Sequence, residues 1–157
     1  MINQHSKLPL RIGVGIVLLN NKNEVFIGRR IDNPKNFWQM PQGGVDKDEN
    51  FLTAAKRELE EETSIKSVKL VKELKNWQEY DLPKNLLGKI WGGKYRGQKQ
   101  KWFVMKFIGK ENEINIKTTK PEFIEWKWIS YAELPSIAVK FKIDLYKKIR
   151  EELQKFI

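Results

Sequence analysis

Residues 57 to 62 read RELEEE, so four glutamates occupy five consecutive positions of a chain with a formal net charge of +10. On an α-helix each residue advances by about 100°, which places Glu58, Glu61 and Glu62 within an arc of about 100° on one face. Like charges three or four positions apart destabilise a helix by about 0.2–0.5 kcal/mol per pair. Hard divalent cations such as Mg²⁺ and Mn²⁺ bind carboxylate oxygens and bridge them to phosphates. The spacing therefore predicts a divalent-cation site.

A solvated acidic helix face is the alternative explanation, because most runs of glutamate are of that kind. Lys66 is the only lysine that lies four residues after one of the acids on this face, so pairing within the helix compensates little of the charge. The charge distribution favours the cation site. From Asp46 to Glu62 there are seven acids and three bases, a local charge of −4, so the rest of the chain carries +14. That surrounding charge is expected to attract an anionic partner, such as a nucleic acid or a nucleotide phosphate.

The composition limits the class of protein. A chain of 157 residues is the size of one domain with a single core, so we expect one domain over residues 1–157. The chain has no cysteine and one histidine, His5, which argues against a disulfide framework and against a zinc site. The longest apolar run, VGIVLL, is too short to span a membrane, and the N-terminus lacks a signal-peptide pattern. We therefore expect a cytoplasmic protein without membrane association or an obligatory protein partner.

Periodic apolar residues predict the elements that position the acids. Strands are expected at residues 11–20, 24–30, 67–82, 99–109 and 124–130. One helix is expected from about Asn50 to Thr63, capped by Asp48 or Asn50, and a second from Ile137 onward. This order is typical of an α/β (α+β) architecture in which a mixed β-sheet is sandwiched between α-helices.

The acidic run belongs to a longer pattern. That pattern contains, in order, Gly43, five residues, Glu49, seven residues, Arg57-Glu58-Leu59, one residue, Glu61-Glu62, one residue and Ser64-Ile65. It resembles the Nudix box, G-x5-E-x7-R-E-U-x-E-E-x-G-U, in which U is an aliphatic residue. The one departure is Ser64 in place of the usual glycine. Because that position ends the helix, where glycine adopts the left-handed conformation most easily, we expect a strained cap with every acid in place.

Segments outside the box extend the resemblance. FWQMPQGGVD, GQKQKWFVMKF, PEFIEWKWIS and VKFKIDLY are similar to segments of the bacterial RNA pyrophosphohydrolases, a Nudix branch related to the dinucleoside tetraphosphate hydrolases. Together they span most of the chain from Arg11 to about Lys147. The resemblance implies that residues 1–157 form a single Nudix domain with the Nudix fold.

The resemblance also implies which residues form the site. Four acids would bind the metal and carry out catalysis: Glu58, Glu61, Glu62 and, from outside the box, Glu122. The metal would be Mg²⁺ or Mn²⁺, with more than one ion bound. Glu58 and Glu62 would be the principal ligands, and either Glu61 or Glu122 would be the general base. Because such close carboxylates repel one another and hold protons until cations arrive, activity is expected to require metal and to favour neutral to alkaline pH.

Other residues would support the site or bind substrate. The structural residues of the box would be Gly43, Gly44, Glu49 and Arg57, with Glu49 and Arg57 paired so that they hold the loop on the helix. The candidate substrate-binding residues are Arg11, Arg30, Lys101, Phe141 and Lys142. In the resembling family, the positions of Arg30 and of Phe141-Lys142 flank a nucleobase. Taken singly, Lys101 is also consistent with an outward-facing strand residue, and Phe141 with a core residue.

The function implied is hydrolysis of a phosphoanhydride. On 5′-triphosphorylated RNA the products would be pyrophosphate and 5′-monophosphorylated RNA, a reaction that initiates mRNA decay. The alternative is a hydrolase of dinucleoside polyphosphates such as diadenosine tetra- or pentaphosphate. The high positive charge favours RNA, since counterion release rewards a long polyanion more than a short one. A non-catalytic Nudix-like domain that only binds nucleotides or RNA is a third possibility, which the complete set of box acids disfavours.

Overall fold

The computed structural model describes residues 7–32 and 36–157, so His5 lies outside the described residues. Eight strands are described: β1 Leu10–Leu19, β2 Glu24–Arg30, β3 Trp38–Gln39, β4 Gln42–Gly44, β5 Val68–Glu73, β6 Gln78–Asp81, β7 Gly97–Phe107 and β8 Phe123–Ser130. The described helices are α1 Phe51–Thr63, α2 Leu134–Ile137 and α3 Ile143–Gln154. Short 3₁₀ turns occupy Trp91–Gly93, Glu111–Glu113, Tyr131–Glu133 and Lys140–Lys142.

The strands form one mixed sheet around a parallel pair. β1 and β7 run parallel along ten residue pairs, from Leu10 beside Gly97 to Leu19 beside Lys106. All other pairings are antiparallel: β2 and β4 lie on β1, β5 and β6 lie on β7, and β3 and β8 lie on β2. The order along the sheet is β3-β2-β1-β7-β5.

Helices cover both faces of the sheet, as the sequence predicted. On one face α1 packs Ala54, Ala55 and Leu59 against a cluster that includes Phe103 and Met105 of β7. On the other face α3 packs against a second cluster, which includes Trp102 of β7. Because both faces are covered, the run VGIVLL of β1 is buried throughout. We call these the α1 face and the α3 face.

The N-terminus of α1 is fixed by Asn50. Its side-chain oxygen accepts hydrogen bonds from the backbone N–H groups of Leu52 and Thr53, at 2.9 and 3.2 Å. Asn50 is therefore the cap, whereas Asp48 lies before it in the left-handed region with φ of 63°. The helix starts where the sequence predicted, and this start fixes which face carries the acids.

Two elements differ from their sequence-based predictions. The single strand expected over residues 67–82 is two strands, because the register on β7 shifts between Leu70 and Lys72 and Leu74 then turns into the α3-face core. The C-terminal helix begins at Ile143 rather than at Ile137, since Ala138 and Val139 are extended. The apolar residues continue at helical intervals through this break because Ile137, the last residue of α2, and Phe141, in the following 3₁₀ turn, pack on the same core as α3. Within the described part of the chain, no helix is long and apolar enough to cross a membrane.

Ser64 ends α1 in the left-handed conformation, with φ of 67° and ψ of 7°. This conformation costs a residue with a Cβ about 1–2 kcal/mol. The Ser64 hydroxyl donates a 2.8 Å hydrogen bond to the carbonyl of Asn115, which contributes about 1 kcal/mol in return. The cap is therefore strained, as the absence of glycine predicted, and the hydroxyl offsets part of the strain.

These opposing effects predict an order of stability. Ser64→Gly removes both the strain and the hydrogen bond, so its free energy of unfolding should stay within about 1 kcal/mol of the unsubstituted protein. Ser64→Ala keeps the strain and loses the hydrogen bond, so it should be about 1 kcal/mol less stable than Ser64→Gly. Urea denaturation of the three proteins measures the order. Equal stability of the alanine and glycine variants would contradict the strain.

Candidate active site

Arg57 is the centre of the charge network on α1. Its Nε and Nη2 donate to the two carboxylate oxygens of Glu49 at 2.8 and 2.9 Å, and Nη2 also donates to the carbonyl of Gly44 at 3.0 Å. Its Nη1 donates to Glu58 at 2.9 Å and to both oxygens of Glu61 at 3.2 Å. One guanidinium therefore ties the loop before α1 to the helix and compensates two of its acids.

The pair formed by Glu49 and Arg57 is locked in its charged form. The guanidinium, together with the backbone N–H of Asp46, lowers the pKa of Glu49 to about 2. The same contact with Glu49 raises the pKa of Arg57. Since both groups are charged at any working pH, the loop stays attached to the helix.

Glu62 is the acid on this face that Arg57 does not reach. The residue is only 5% exposed, and in the described part of the chain its Oε2 atom has no hydrogen-bond partner. Burial, followed by the nearby charges of Glu58 and Glu122, raises its pKa well above the usual value. A hydrogen bond from the backbone N–H of Gln42 opposes this rise in pKa. A buried carboxylate with one unsatisfied oxygen costs free energy unless a ligand compensates it.

Glu58 is held against the glycine pair that precedes α1. A Cβ added to Gly43 would overlap the Glu58 carboxylate, and one added to Gly44 would overlap the guanidinium of Arg11. The two glycines are therefore required by the space that these charged groups occupy. Burial raises the pKa of Glu58, and its contact with Arg57 opposes the rise.

Glu122 reaches the site from the residue before β8. Its Oε2 lies 3.9 Å from Nη2 of Arg30, at the end of β2. Arg30 in turn makes a bidentate contact with Asp32, with distances of 2.8 and 2.7 Å. This contact raises the pKa of Arg30 and lowers that of Asp32. Arg30 therefore lies between two carboxylates at the edge of the acidic cluster.

Lys142 is buried beside the cluster. Its Nζ donates to the side-chain oxygens of Gln39 and Gln42 at 3.2 and 3.3 Å, and lies 5.5 Å from the ring centroid of Tyr80. Burial, with the charge of Arg30 adding to it, lowers the pKa of Lys142 to about 7. The Phe141 ring lies 5.5 Å from that of Tyr80. Lys142 is thus a buried cationic group that an incoming anion would stabilise in its charged form.

The structure brings most of the candidate residues together, but not Lys101. Arg11 and Lys142 both lie on the α3-face side, where Arg11 sits 5.3 Å from the ring centroid of Trp91. Side chains alternate along β7, so Lys101 lies on the opposite side from Trp102, on the α1 face. There its Nζ is 3.6 Å from Glu73 and 5.7 Å from the ring centroid of Trp77. The Lys101 side chain is only 13% exposed, and it contacts Glu73 and Trp77 rather than the acidic cluster.

Sequence reasoning missed the buried polar groups of the site. Gln39 and Gln42 bind Lys142, and on β7 the side chain of Gln100 donates to Gln98 at 3.1 Å. Both β7 glutamines are at most 1% exposed. The alternation of glutamine and lysine in GQKQKW was the available signal, because it places the glutamines on one face. No sequence pattern of this kind predicted the bidentate contact between Arg30 and Asp32.

The residues present fit a divalent cation. Carboxylate oxygens are the donors that Mg²⁺ and Mn²⁺ prefer, and the unpartnered Oε2 of Glu62 is one such donor. As they stand, no three acidic or histidine side chains of residues 7–32 and 36–157 converge as metal ligands. Glu58 and Glu61 instead accept hydrogen bonds from Arg57.

Sequence relatives were found over the whole chain. The family model of the NUDIX domain matches residues 9–150. The RNA pyrophosphohydrolase of Pelagibacter ubique (strain HTCC1062) is 60% identical over 157 residues, covering 100% of this chain and 99% of that protein. The RNA pyrophosphohydrolase of Rhodospirillum rubrum is 46% identical over 149 residues, covering 95% and 90%.

Solved structures share the fold at lower identity. The dihydroneopterin triphosphate pyrophosphohydrolase of E. coli superposes with a TM-score of 0.68 at 20% identity, covering 96% of this chain and 98% of that one. An Ap4A hydrolase of C. elegans, in a binary complex, superposes with a TM-score of 0.62 at 19% identity, covering 92% and 99%. The family that the pattern around α1 predicted is confirmed: this protein is a member of the NUDIX family.

Proposed function

We propose that this protein is an RNA pyrophosphohydrolase, which removes pyrophosphate from the 5′-triphosphate end of RNA and leaves a 5′-monophosphate. The full-length identity of 60% to a protein of that name supports the substrate. The buried, unpartnered Glu62 among Glu58 and Glu122 is the observation that carries the chemistry. Such a carboxylate is suited to holding a cation against a phosphate chain.

Four acids divide the chemical roles. Glu58 and Glu62 would hold the cation, and Arg57 attaches the helix that carries them to the loop before it. When bound, the cation would make a water molecule more acidic and neutralise charge on the pyrophosphate. Either Glu61 or Glu122 takes the proton of the attacking water, since both are partly exposed beside the buried pair.

The basic groups orient the substrate. Arg11, Arg30 and Lys142 surround the acids on the side where a triphosphate would enter. Phosphate contacts of this kind position a nucleic acid without reading its sequence. The Phe141 ring, next to Lys142, provides an aromatic surface for the 5′ nucleobases. Diadenosine polyphosphates also carry a phosphate chain attached to a nucleoside, so turnover of RNA must be compared with turnover of these compounds.

A single labelling experiment tests the reaction. RNA carrying a 5′-triphosphate labelled at the γ-phosphate should release its label as pyrophosphate when Mg²⁺ is supplied, and turnover should exceed that of diadenosine pentaphosphate. The product ions are separated by thin-layer chromatography. Release of orthophosphate would point to stepwise phosphate removal, and faster turnover of diadenosine pentaphosphate would reassign the substrate.

Glu62→Gln should separate function from stability. Burial raises the pKa of the Glu62 carboxyl group in the folded protein. Above the ordinary pKa of glutamate the unfolded chain therefore loses this proton before the folded protein does, and the free energy of unfolding falls as the pH rises from there toward the folded pKa. The amide carries no charge, and without divalent cations the variant should therefore gain about 1–3 kcal/mol at pH 8. The gain should shrink as the pH falls toward 4.5, the ordinary pKa of a glutamate side chain. Turnover should be lost.

Glu60→Gln is the matched control for that experiment. Glu60 lies on the same helix, partly exposed, and its Oε1 is 3.3 Å from the Lys66 ammonium. Its replacement should change stability by less than about 1 kcal/mol and leave turnover intact. Urea denaturation in the presence of a chelator and initial rates with Mg²⁺ measure both quantities. A Glu62→Gln variant that is less stable than the unsubstituted protein would show that this acid is a structural group.

A further inference from the structure

A shallow groove runs along α3, on the side facing the segment between β5 and β6. It consists of two adjoining cavities of about 250 and about 310 Å³. Asn76, Glu152 and Lys155 line both of them, so the two form one continuous feature. We call it the α3 groove. None of the residues assigned above to catalysis, metal binding or the triphosphate lies in it.

Lysines flank the α3 groove on both sides. Lys72 and Lys75 come from the strand side, and Lys148 and Lys155 come from α3. Among the described residues, none of the four forms a salt bridge. Two glutamates also line the groove, which leaves it with a net charge of +2. The surface is therefore suited to an anionic ligand.

The α3 groove contains one aromatic ring beside its lysines. Leu74 and Phe156 line one cavity, whereas the ring of Trp77, which borders the other, packs on Phe51 of α1. The ammonium of Lys72 lies 5.0 Å from the ring centroid of Phe156. Aromatic rings interspersed with cations are the combination by which proteins bind single-stranded nucleic acid without sequence preference.

The groove ends near the active site. Gln78 of β6 lines it, and Tyr80, two residues further along β6, lies on the same side of that strand beside Lys142. Two residues of a strand span about 7 Å. Lys148 follows Lys142, the residue before α3, by six residues, about 9 Å along the helix axis. Gln78, Tyr80 and Lys142 are themselves buried, so an RNA chain would cross this short distance over the surface above them.

We propose that the α3 groove binds the sugar-phosphate backbone of the RNA downstream of its 5′ end, an inference that rests on the proposed function. The twelve residues of α3 span about 18 Å. Stacked nucleotides advance by about 3.4 Å each, so the far end of the groove is reached only by the fifth or sixth nucleotide. A trinucleotide ends before Lys155.

Comparison of two substrate lengths tests the proposal. The groove variant carries Lys75→Gln, Lys148→Gln and Lys155→Gln. The control variant carries Lys22→Gln, Lys69→Gln and Lys110→Gln, which remove the same charge from exposed positions near the ends of β1 and β7 distant from Arg11. Each protein is assayed on a triphosphorylated trinucleotide and on a 12-nucleotide single strand with the same 5′ sequence.

The groove variant should raise KM for the 12-nucleotide RNA about tenfold at low salt while kcat and all constants for the trinucleotide stay unchanged. Each lost phosphate contact lowers the salt dependence of log K by about 0.7, so three contacts should lower that slope by about 2. The control variant should behave as the unsubstituted protein. Fluorescence anisotropy with the 5′-monophosphorylated 12-mer should show the same loss of affinity without any turnover.

The remaining outcomes overturn the inference. Equal losses on both lengths would place the three lysines at the 5′ end, and a groove variant no weaker than the control would show that the groove does not bind RNA. If triphosphorylated RNA is not hydrolysed by the unsubstituted protein, the proposed function fails, and the anisotropy experiment still decides the groove by itself.

Discussion

The burial of the Glu62 carboxyl group is the constraint on which the structure of the site depends. A helix that carries four glutamates in five positions must compensate their repulsion. Arg57 compensates Glu58 and Glu61, and Lys66 lies near Glu60. Among the described residues of this run, Glu62 alone remains, buried and with an unpartnered oxygen. The Oε2 atom of Glu62 is therefore the atom of this site that requires a cation. The basic groups around it attract an anion to the same place.

The fold serves this arrangement through backbone contacts. β4 pairs with β1, so Gly43 and Gly44 are fixed beside the start of the parallel pair. The missing side chains of these glycines leave the space that Glu58 and Arg11 fill. On the α3 face, the turn before α3 places Lys142 where its ammonium donates hydrogen bonds to Gln39 of β3 and Gln42 of β4. Acids from α1 and from the residue before β8 thus meet basic groups from β1, β2 and the turn before α3.

The sequence was sufficient to predict the features that depend on residue intervals within a single helix or strand. The acidic face of α1 followed from spacing, because a helix converts sequence intervals directly into positions in space. The family followed from the resemblance of the longer pattern, and the choice between Asp48 and Asn50 as cap needed the structure. The sheet covered on both faces followed from the apolar periods. The break before α3 did not, since Ile137 at the end of α2 and Phe141 in the following 3₁₀ turn pack on the same core across the extended Ala138 and Val139.

Long-range polar contacts were the other part that the sequence left open. Lys101 and Lys142 are both lysines beside aromatic residues, yet Lys101 lies beside Glu73 on the α1 face and Lys142 is buried against Gln39 and Gln42 on the α3 face. Only the strand register and the turn before α3 distinguish them. The same holds for Asp32, whose contact with Arg30 depends on the course of the chain after β2.

Cation uptake coupled to proton release tests the central claim most directly. Because burial raises the pKa of Glu62, a divalent cation that coordinates its carboxylate competes with a proton, and binding should release protons at pH values where the metal-free carboxyl group is protonated. Titration of metal-free protein with Mn²⁺ in two buffers of different ionisation enthalpy should show saturable binding with proton release, and Glu62→Gln should weaken the binding and remove the release. Binding of equal strength in the variant, or no saturable binding in the unsubstituted protein, would contradict the account.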